Sequence, residues 1–210
     1  MNIIIVGASG FALEAAWLAE DCGHQVIGFL DDSLEKQGTT VLGKPVLGIV
    51  DNWAKFSENH LIVAIGSPRT RNKVIKNMER TGTPKFATLV HPSVIKSSHI
   101  NIGEGTLICA GCIMTVNINI GKHCIININS TVGHEVNIGD FSTIAPIVAI
   151  SGNVTLEDFT EVGTGSSIRQ GVSIGRGSML GMGSVLTKNI PSFKIYAGIP
   201  AKPLKDMEEI

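Results

Sequence analysis

From Ile102 to Leu186 an aliphatic residue or Met stands at every sixth position without an insertion. The series is Ile102, Ile108, Met114, Ile120, Ile126, Val132, Ile138, Ile144, Ile150, Leu156, Val162, Ile168, Ile174, Leu180 and Leu186. One position later Gly fills seven slots: Gly103, Gly121, Gly133, Gly139, Gly163, Gly175 and Gly181. Four positions after a series member comes a small or β-branched residue, as in Thr106, Cys112, Ser130, Val136, Ser166 and Ser184. An α-helix has a period of 3.6 and a simple strand a period of 2, so a strict six fits neither. A parallel β-helix fits it, with one hexad per flat face and three faces per coil. The aliphatic residue points inward, the small residue sits in the crowded spot beside it, and glycine is expected where the chain turns a corner. Fifteen hexads predict five coils, a column roughly 24 Å tall at about 4.8 Å per stacked strand.

The first 90 residues follow another pattern. Asn2–Val6 is a short apolar run leading into Gly7-Ala8-Ser9-Gly10, and a helix is predicted from Phe11 to about Asp21. Gln25–Leu30 reads as a second strand ending at Asp31-Asp32, and Leu61–Ile65 as a third ending at Gly66. Ser67-Pro68 has the form of an N-cap followed by Pro at the first helical position, opening a helix to about Arg80. Alternation of strand and helix predicts a small parallel sheet with helices on both faces. The chain therefore reads as a Rossmann-like α/β domain over residues 1–90 and a β-helix over residues 91–210. The tail from Pro191 to Ile210 leaves the six-residue register and is expected to end in a short helix.

Composition narrows the function. Lys and Arg number 17 against 18 Asp and Glu, a net charge of −1, which disfavours a nucleic-acid binder held by a large basic face. Aromatic residues are only 5% of the chain, leaving few platforms for stacking on bases. No apolar run reaches the ~18 residues of a membrane span, and the N-terminus lacks the charged region of a signal peptide. Cys22, Cys109, Cys112 and Cys124 form no secreted disulfide framework, so a cytoplasmic protein is expected. Cys112 and Cys124 occupy small-residue slots of the repeat and Cys109 a glycine slot, so no metal site is expected.

Three motifs can carry chemistry. Gly7-x-x-Gly10 between a strand and a helix reads equally as a phosphate cradle and as a tight turn. The basic residues from Arg69 to Arg80 read as a solvated helix face whose first turn can meet a phosphate. His134 and Glu135 fall on the two outward positions of their hexad, between core Val132 and small-slot Val136. Outward polar residues are ordinary, yet His is the natural general base near neutral pH and an adjacent carboxylate can orient it.

Together the motifs Gly7-Ala8-Ser9-Gly10, Phe29-Leu30-Asp31-Asp32, Ala64-Ile65-Gly66, Asn129 to Glu135, Gly152-Asn153-Val154 and Ala197 to Lys202 resemble the bacterial sugar acyltransferases of the NeuD/PglD type. That group includes sialic acid O-acetyltransferases and nucleotide-amino-sugar N-acetyltransferases. The resemblance implies a left-handed β-helix, a homotrimer, and acetyl-CoA bound between neighbouring β-helices. It implies His134 as general base with Glu135 as its partner, and a sugar-nucleotide site at Ser9, Gly10, Phe11, Asp31, Asp32 and Gly66. Thr143, Gly152, Thr164 and Met182 would fall along the acetyl-CoA groove. One departure stands out: Phe11 and Ala12 replace the His and Gly that commonly follow the second glycine in the family, removing a polar contact.

The expected activity is acetyl transfer from acetyl-CoA to a nucleotide-linked amino sugar, for bacterial surface glycan or glycoprotein synthesis. His134 would take the acceptor's proton, and the backbone N–H of Gly152 is the candidate oxyanion donor. Sugar O-acetylation of the sialic-acid type, and a non-catalytic sugar-nucleotide-binding scaffold, are the alternatives.

Overall fold

The computed structural model describes all 210 residues. The chain divides into two compact units, Met1–His91 and Pro92–Ile210.

The first unit is built on strands β1 (Asn2–Val6), β2 (Gln25–Leu30), β3 (Thr40–Val41), β4 (Lys44–Gly48) and β5 (His60–Val63), in the order β3-β4-β2-β1-β5. β4, β2, β1 and β5 run parallel, and β3 folds back antiparallel onto β4. Ile3, Ile4, Ile5 and Val6 are fully buried, as a central parallel strand covered on both faces requires. Helix α1 (Phe11–Asp21) buries Ala12, Ala15, Ala16, Leu18 and Ala19. Helix α2 (Pro68–Thr81) starts as its sequence predicts: the Ser67 side chain accepts from the Thr70 N–H, and Pro68 occupies the first turn. β3, β4 and two 3-10 segments, Leu34–Lys36 and Val50–Phe56, carry no clear periodicity. Pro45 and Gly48, both poor strand formers, mask β4.

The basic stretch of α2 is not wholly a solvated face. Arg71 is 1% exposed, because it shares a stripe with buried Ile75 and Met78 at helical spacing. Its guanidinium donates to the carbonyls of Ile65 and Gly66, fixing the loop after β5.

The second unit is the left-handed parallel β-helix. Its strands are mostly two residues long and stack in three parallel sheets. The first strand, Ile95–Lys96, lies one hexad ahead of the aliphatic series. Lys96 fills the slot there, and an end coil tolerates a polar residue at that position. From Ile108 onward every series member is buried, whereas Ile102 is half-buried. The small slots explain their own polarity. Thr106, Ser130 and Ser166 are fully buried, yet their hydroxyls donate to the carbonyls of Gly121, Ala145 and Gly181 at 2.8–3.1 Å.

The seven register glycines are not corner residues. None has a positive φ. A Cβ at Gly133 would lie 2.6 Å from the backbone nitrogen of Gly152 on the next coil, and the other six are equally crowded by the coil above. The corners use a different series. There the left-handed backbone is taken by glycines such as Gly165 and Gly183, and also by side chains. His123, Phe141 and Phe159 adopt φ of 53–60° and stack ring on ring at 5.2 Å, capped by the Arg176 guanidinium 4.8 Å from the Phe159 ring. Ile147, at φ 60° and 62% exposed, has no such stack.

The tail corrects another expectation. It forms no helix: Lys194–Gly198 joins the sheet beside Met179–Leu180 and pairs antiparallel with Ala201–Asp206. Ile199-Pro200, joined by a cis bond, makes the two-residue turn. An open sheet edge at the end of the column offers this segment backbone partners that an isolated short helix lacks.

Candidate active site

At the C-terminal ends of β1, β2 and β5 the first unit opens a cleft of about 410 Å³. Ser9, Phe11, Asp31, Asp32 and Gly66 line it, together with Ile65 of the Ala64-Ile65-Gly66 motif and with Ser33, Val50 and Thr70, which the sequence did not single out. Gly10 stands between Ser9 and Phe11 at φ 47°, where it turns the chain into α1 without itself lining the cleft. Gly7 is needed for close approach, since a Cβ there would sit 3.2 Å from the Ala64 carbonyl oxygen at φ +100°. The phenyl ring of Phe11 supplies an apolar wall.

The two aspartates are already engaged. Asp31 accepts from the N–H groups of Ala8 and Ser33 at 2.8 and 2.9 Å and from Lys36 Nζ at 3.0 Å. Burial pushes its carboxyl up, but the bonds from Ser33, Lys36 and Ala8 and the Lys36 charge outweigh that and hold it below the ordinary value of 3.8. Asp32 accepts from the Val50 N–H at 2.8 Å. Both carboxylates therefore tie the loops after β1, β2 and β4 into one rim.

In the second unit His134 and Glu135 project from one corner, 50% and 62% exposed at their side chains. The His134 Nδ1 lies 3.0 Å from Glu135 Oε2. A carboxylate only accepts, so Nδ1 carries the proton and Nε2, with its lone pair, lies toward Gly152 on the next coil. Glu135 reaches back because its own backbone is left-handed, at φ 60°. Gly152 lies directly above on the next coil, and any Cβ there would collide with the imidazole. The Gly152 N–H donates to no group of the chain. The eighteen-residue coil spacing between positions 134 and 152 is the sequence signal for this placement.

Thr143, Thr164 and Met182 gather on a separate groove of about 250 Å³ with Ala145, Glu161 and Met179. Gly152 is not part of that groove; it belongs to the histidine corner. Cys112 and Cys124 are fully buried, with their thiols bonded to the carbonyls of Asn127 and Gly139 at 3.1 Å. Burial pushes the Cys112 thiol up, away from the nucleophilic thiolate.

The PglD N-terminal domain family matches residues 2–78. No curated protein sequence gives a significant match. Among solved structures, the acetyltransferase domain of PglB from Neisseria gonorrhoeae, in complex with acetyl coenzyme A, is 33% identical. That alignment covers 97% of this chain and 98% of the other, with a TM-score of 0.89. WeeI from Acinetobacter baumannii is 32% identical over 97% and 100% of the two chains, with a TM-score of 0.85. A histidine-to-asparagine mutant of perosamine N-acetyltransferase from Caulobacter crescentus, in complex with CoA and GDP-perosamine, is 28% identical over 98% of both chains, with a TM-score of 0.89. With a domain order, a repeat and a length shared across whole chains, this protein belongs to the NeuD/PglD-type sugar acetyltransferases, an acetyl-CoA-dependent family of enzymes.

Proposed function

We propose that the protein transfers the acetyl group of acetyl-CoA to the amine of a nucleotide-linked amino sugar, with His134 as general base. The observation that carries this reading is the 3.0 Å contact between His134 Nδ1 and Glu135, which leaves Nε2 as the proton acceptor on an exposed corner. The acceptor amine attacks the thioester carbonyl as Nε2 takes its proton. Glu135 holds the ring and offsets the positive charge that then forms on it. The tetrahedral oxyanion is met by the unpaired Gly152 N–H. Its collapse expels CoA as a thiolate, which regains a proton from His134.

The cleft at Ser9, Asp31 and Gly66 is assigned to the nucleotide part of the acceptor, and the groove at Thr143, Thr164 and Met182 to the pantetheine arm. CoA in perosamine N-acetyltransferase and acetyl-CoA in the PglB domain support acetyl-CoA as the co-substrate. A homotrimer is part of the reading. One face of the column presents Ile95, Ile113, Thr131, Ala149, Ser167 and Val185 outward, a small and apolar surface suited to packing against another copy. The same reading puts the enzyme in the cytoplasm, where acetyl-CoA and nucleotide-linked sugars are made, and in surface glycan or glycoprotein synthesis.

The test is CoA thiol release with a panel of GDP-, UDP- and dTDP-linked amino sugars, with mass spectrometry of the products. One acetyl group on the amine is expected. Acetyl groups found only on hydroxyls, or no release with any amino sugar, would overturn the reading.

A further inference from the structure

Three side chains at the end of α1 close on the last two residues of the first unit. Trp17 and Asp21 stand four apart on one face of the helix, and Cys22 follows as its C-cap. His91 is buried, and its Nε2 lies 2.8 Å from Asp21 Oδ2. A carboxylate only accepts, so Nε2 carries the proton of this bond. The Trp17 ring packs on the imidazole, tilted by 58° with the ring centroids 5.6 Å apart. Cys22 Sγ donates to the Val90 carbonyl at 3.3 Å. Burial, and after it the Asp21 charge, pushes the Cys22 thiol up, so it keeps the proton it donates. His91 is thus held by its ring and Val90 by its carbonyl.

The segment that is gripped is stiff in its own right. The first unit ends at His91 and the second begins at Pro92. A flexible tether between domains is rich in Gly and Ser, whereas this one reads Leu89-Val90-His91-Pro92, and no glycine stands between Gly82 and Gly103. Pro92 fixes its own φ and keeps His91 in extended backbone. Leu89–Val90 is a short strand. The exit from the first unit therefore has little backbone freedom, and Asp21, Trp17 and Cys22 take up what is left. An apolar side chain at position 91 would fill the same space. A buried imidazole with a directional bond fixes orientation as well as packing.

We propose that this grip is a positioning device for acetyl transfer. The nucleotide is assigned to the first unit and the general base to the second, so the acceptor amine is held by one unit and deprotonated by a group on the other. A short flexible tether gives such a pair a millimolar effective concentration, and a fixed geometry gives far more. Fixing the exit of the chain from the first unit narrows the range of positions that a nucleotide-bound acceptor explores. Asp21 and His91 touch no substrate in this role and act only through the course of the chain. The inference rests on the reading of the protein as a nucleotide-amino-sugar acetyltransferase and deepens it.

The experiment is steady-state kinetics on Asp21→Ala and Asp21→Asn. The Asp21 side chain is 43% exposed, so its removal leaves no core cavity, and Asn keeps an acceptor oxygen for His91. With a saturating nucleotide-linked amino sugar, Asp21→Ala is expected to lower kcat roughly 5–20-fold. The KM for acetyl-CoA and the Kd for the free nucleoside diphosphate should stay as in the wild type, and Asp21→Asn should recover most of the kcat. Amide hydrogen exchange tests the grip without substrate. Leu89 to Ile95 should exchange roughly tenfold faster in Asp21→Ala, while Asn2–Val6 stays protected. An unchanged kcat in Asp21→Ala, or a loss that Asp21→Asn does not recover, would overturn the proposal. So would an equal loss with the free amino sugar, which has no nucleotide to be held by. If the wild type acetylates no amino sugar, the proposed function fails separately and exchange alone decides the grip. Faster exchange confined to Leu89 to Ile95 keeps it, and unchanged exchange removes it.

Discussion

The two units bury polar side chains in different ways. In the α/β unit single residues carry several bonds: Arg71 holds the Ile65 and Gly66 carbonyls, and Asp31 holds Ala8, Ser33 and Lys36. In the β-helix the task is divided. Thr106, Ser130 and Ser166 each donate to the carbonyl fifteen positions on, and the remaining backbone bonds run from coil to coil. Loss of one such residue costs the column one bond among many, while loss of Arg71 strands two carbonyls and opens a cavity at once. The column is thus a redundant scaffold whose outward positions are free for chemistry, and the proposed catalytic pair, His134 and Glu135, occupies two of them.

The largest effect expected from this contrast is a loss of activity without a loss of stability. His134→Ala should lower kcat by about 10²–10⁴-fold, the usual range for a general base, with an unchanged melting temperature because no core cavity forms. Gly152→Ala should reproduce part of that loss by displacing the imidazole. Both are checked by thiol release beside a thermal melt. For an amine acceptor the His134→Ala penalty should shrink at high pH, where solvent can take the proton. An equal drop in melting temperature would make the corner structural.

Next in size comes the contrast between concentrated and divided bonding. Arg71→Met should destabilise the α/β unit by about 2–4 kcal/mol, and Ser130→Ala should destabilise the column by about 1 kcal/mol. Trp17 and Trp53 both lie in the first unit, so tryptophan fluorescence in urea reads that unit alone. Circular dichroism follows the β-helix. Equal losses would break the comparison.

Ile147 sharpens it from the other side. A β-branched residue at φ 60° costs about 1–2 kcal/mol, and neither burial nor a ring stack returns that here. Ile147→Gly should stabilise the protein by about 1 kcal/mol, seen as a melting temperature about 2–4 °C higher. The smallest expected effect is on pH dependence. The Asp31 carboxyl is depressed in the folded state, so its contribution is complete above the ordinary value of 3.8 and is lost as pH falls through the folded value. The stability gap between wild type and Asp31→Asn, read by fluorescence in urea, should hold from pH 7 to about 4 and close below that. A gap independent of pH would mean that the Ala8, Ser33 and Lys36 bonds do not favour the ionised form.

Much of the site was legible as position and little of it as partnership. The hexad identified His134 and Glu135 as neighbours on outward slots, and the family resemblance of the strand-end motifs pointed to Ser9, Asp31 and Gly66. Arg71 was hidden among exposed basic residues because charge outweighs helical spacing in a reading of α2. The register glycines from Gly103 to Gly181 were misread as corner residues because a crowded coil and a left-handed turn both select glycine, for different reasons.

The sequence by itself determined the β-helix, its register and the two-unit order. A core residue every six positions is a property of the chain alone, and each hexad repeats the same local choice. The tertiary structure alone decided that Asp31 and Asp32 would be spent on loop N–H groups and that the tail would close as a hairpin. Those outcomes depend on which backbone donors and acceptors are left unpaired once the coils have stacked and the loops have met. A single hydrogen-bonding partner far along the chain leaves no periodic trace in the order of residues.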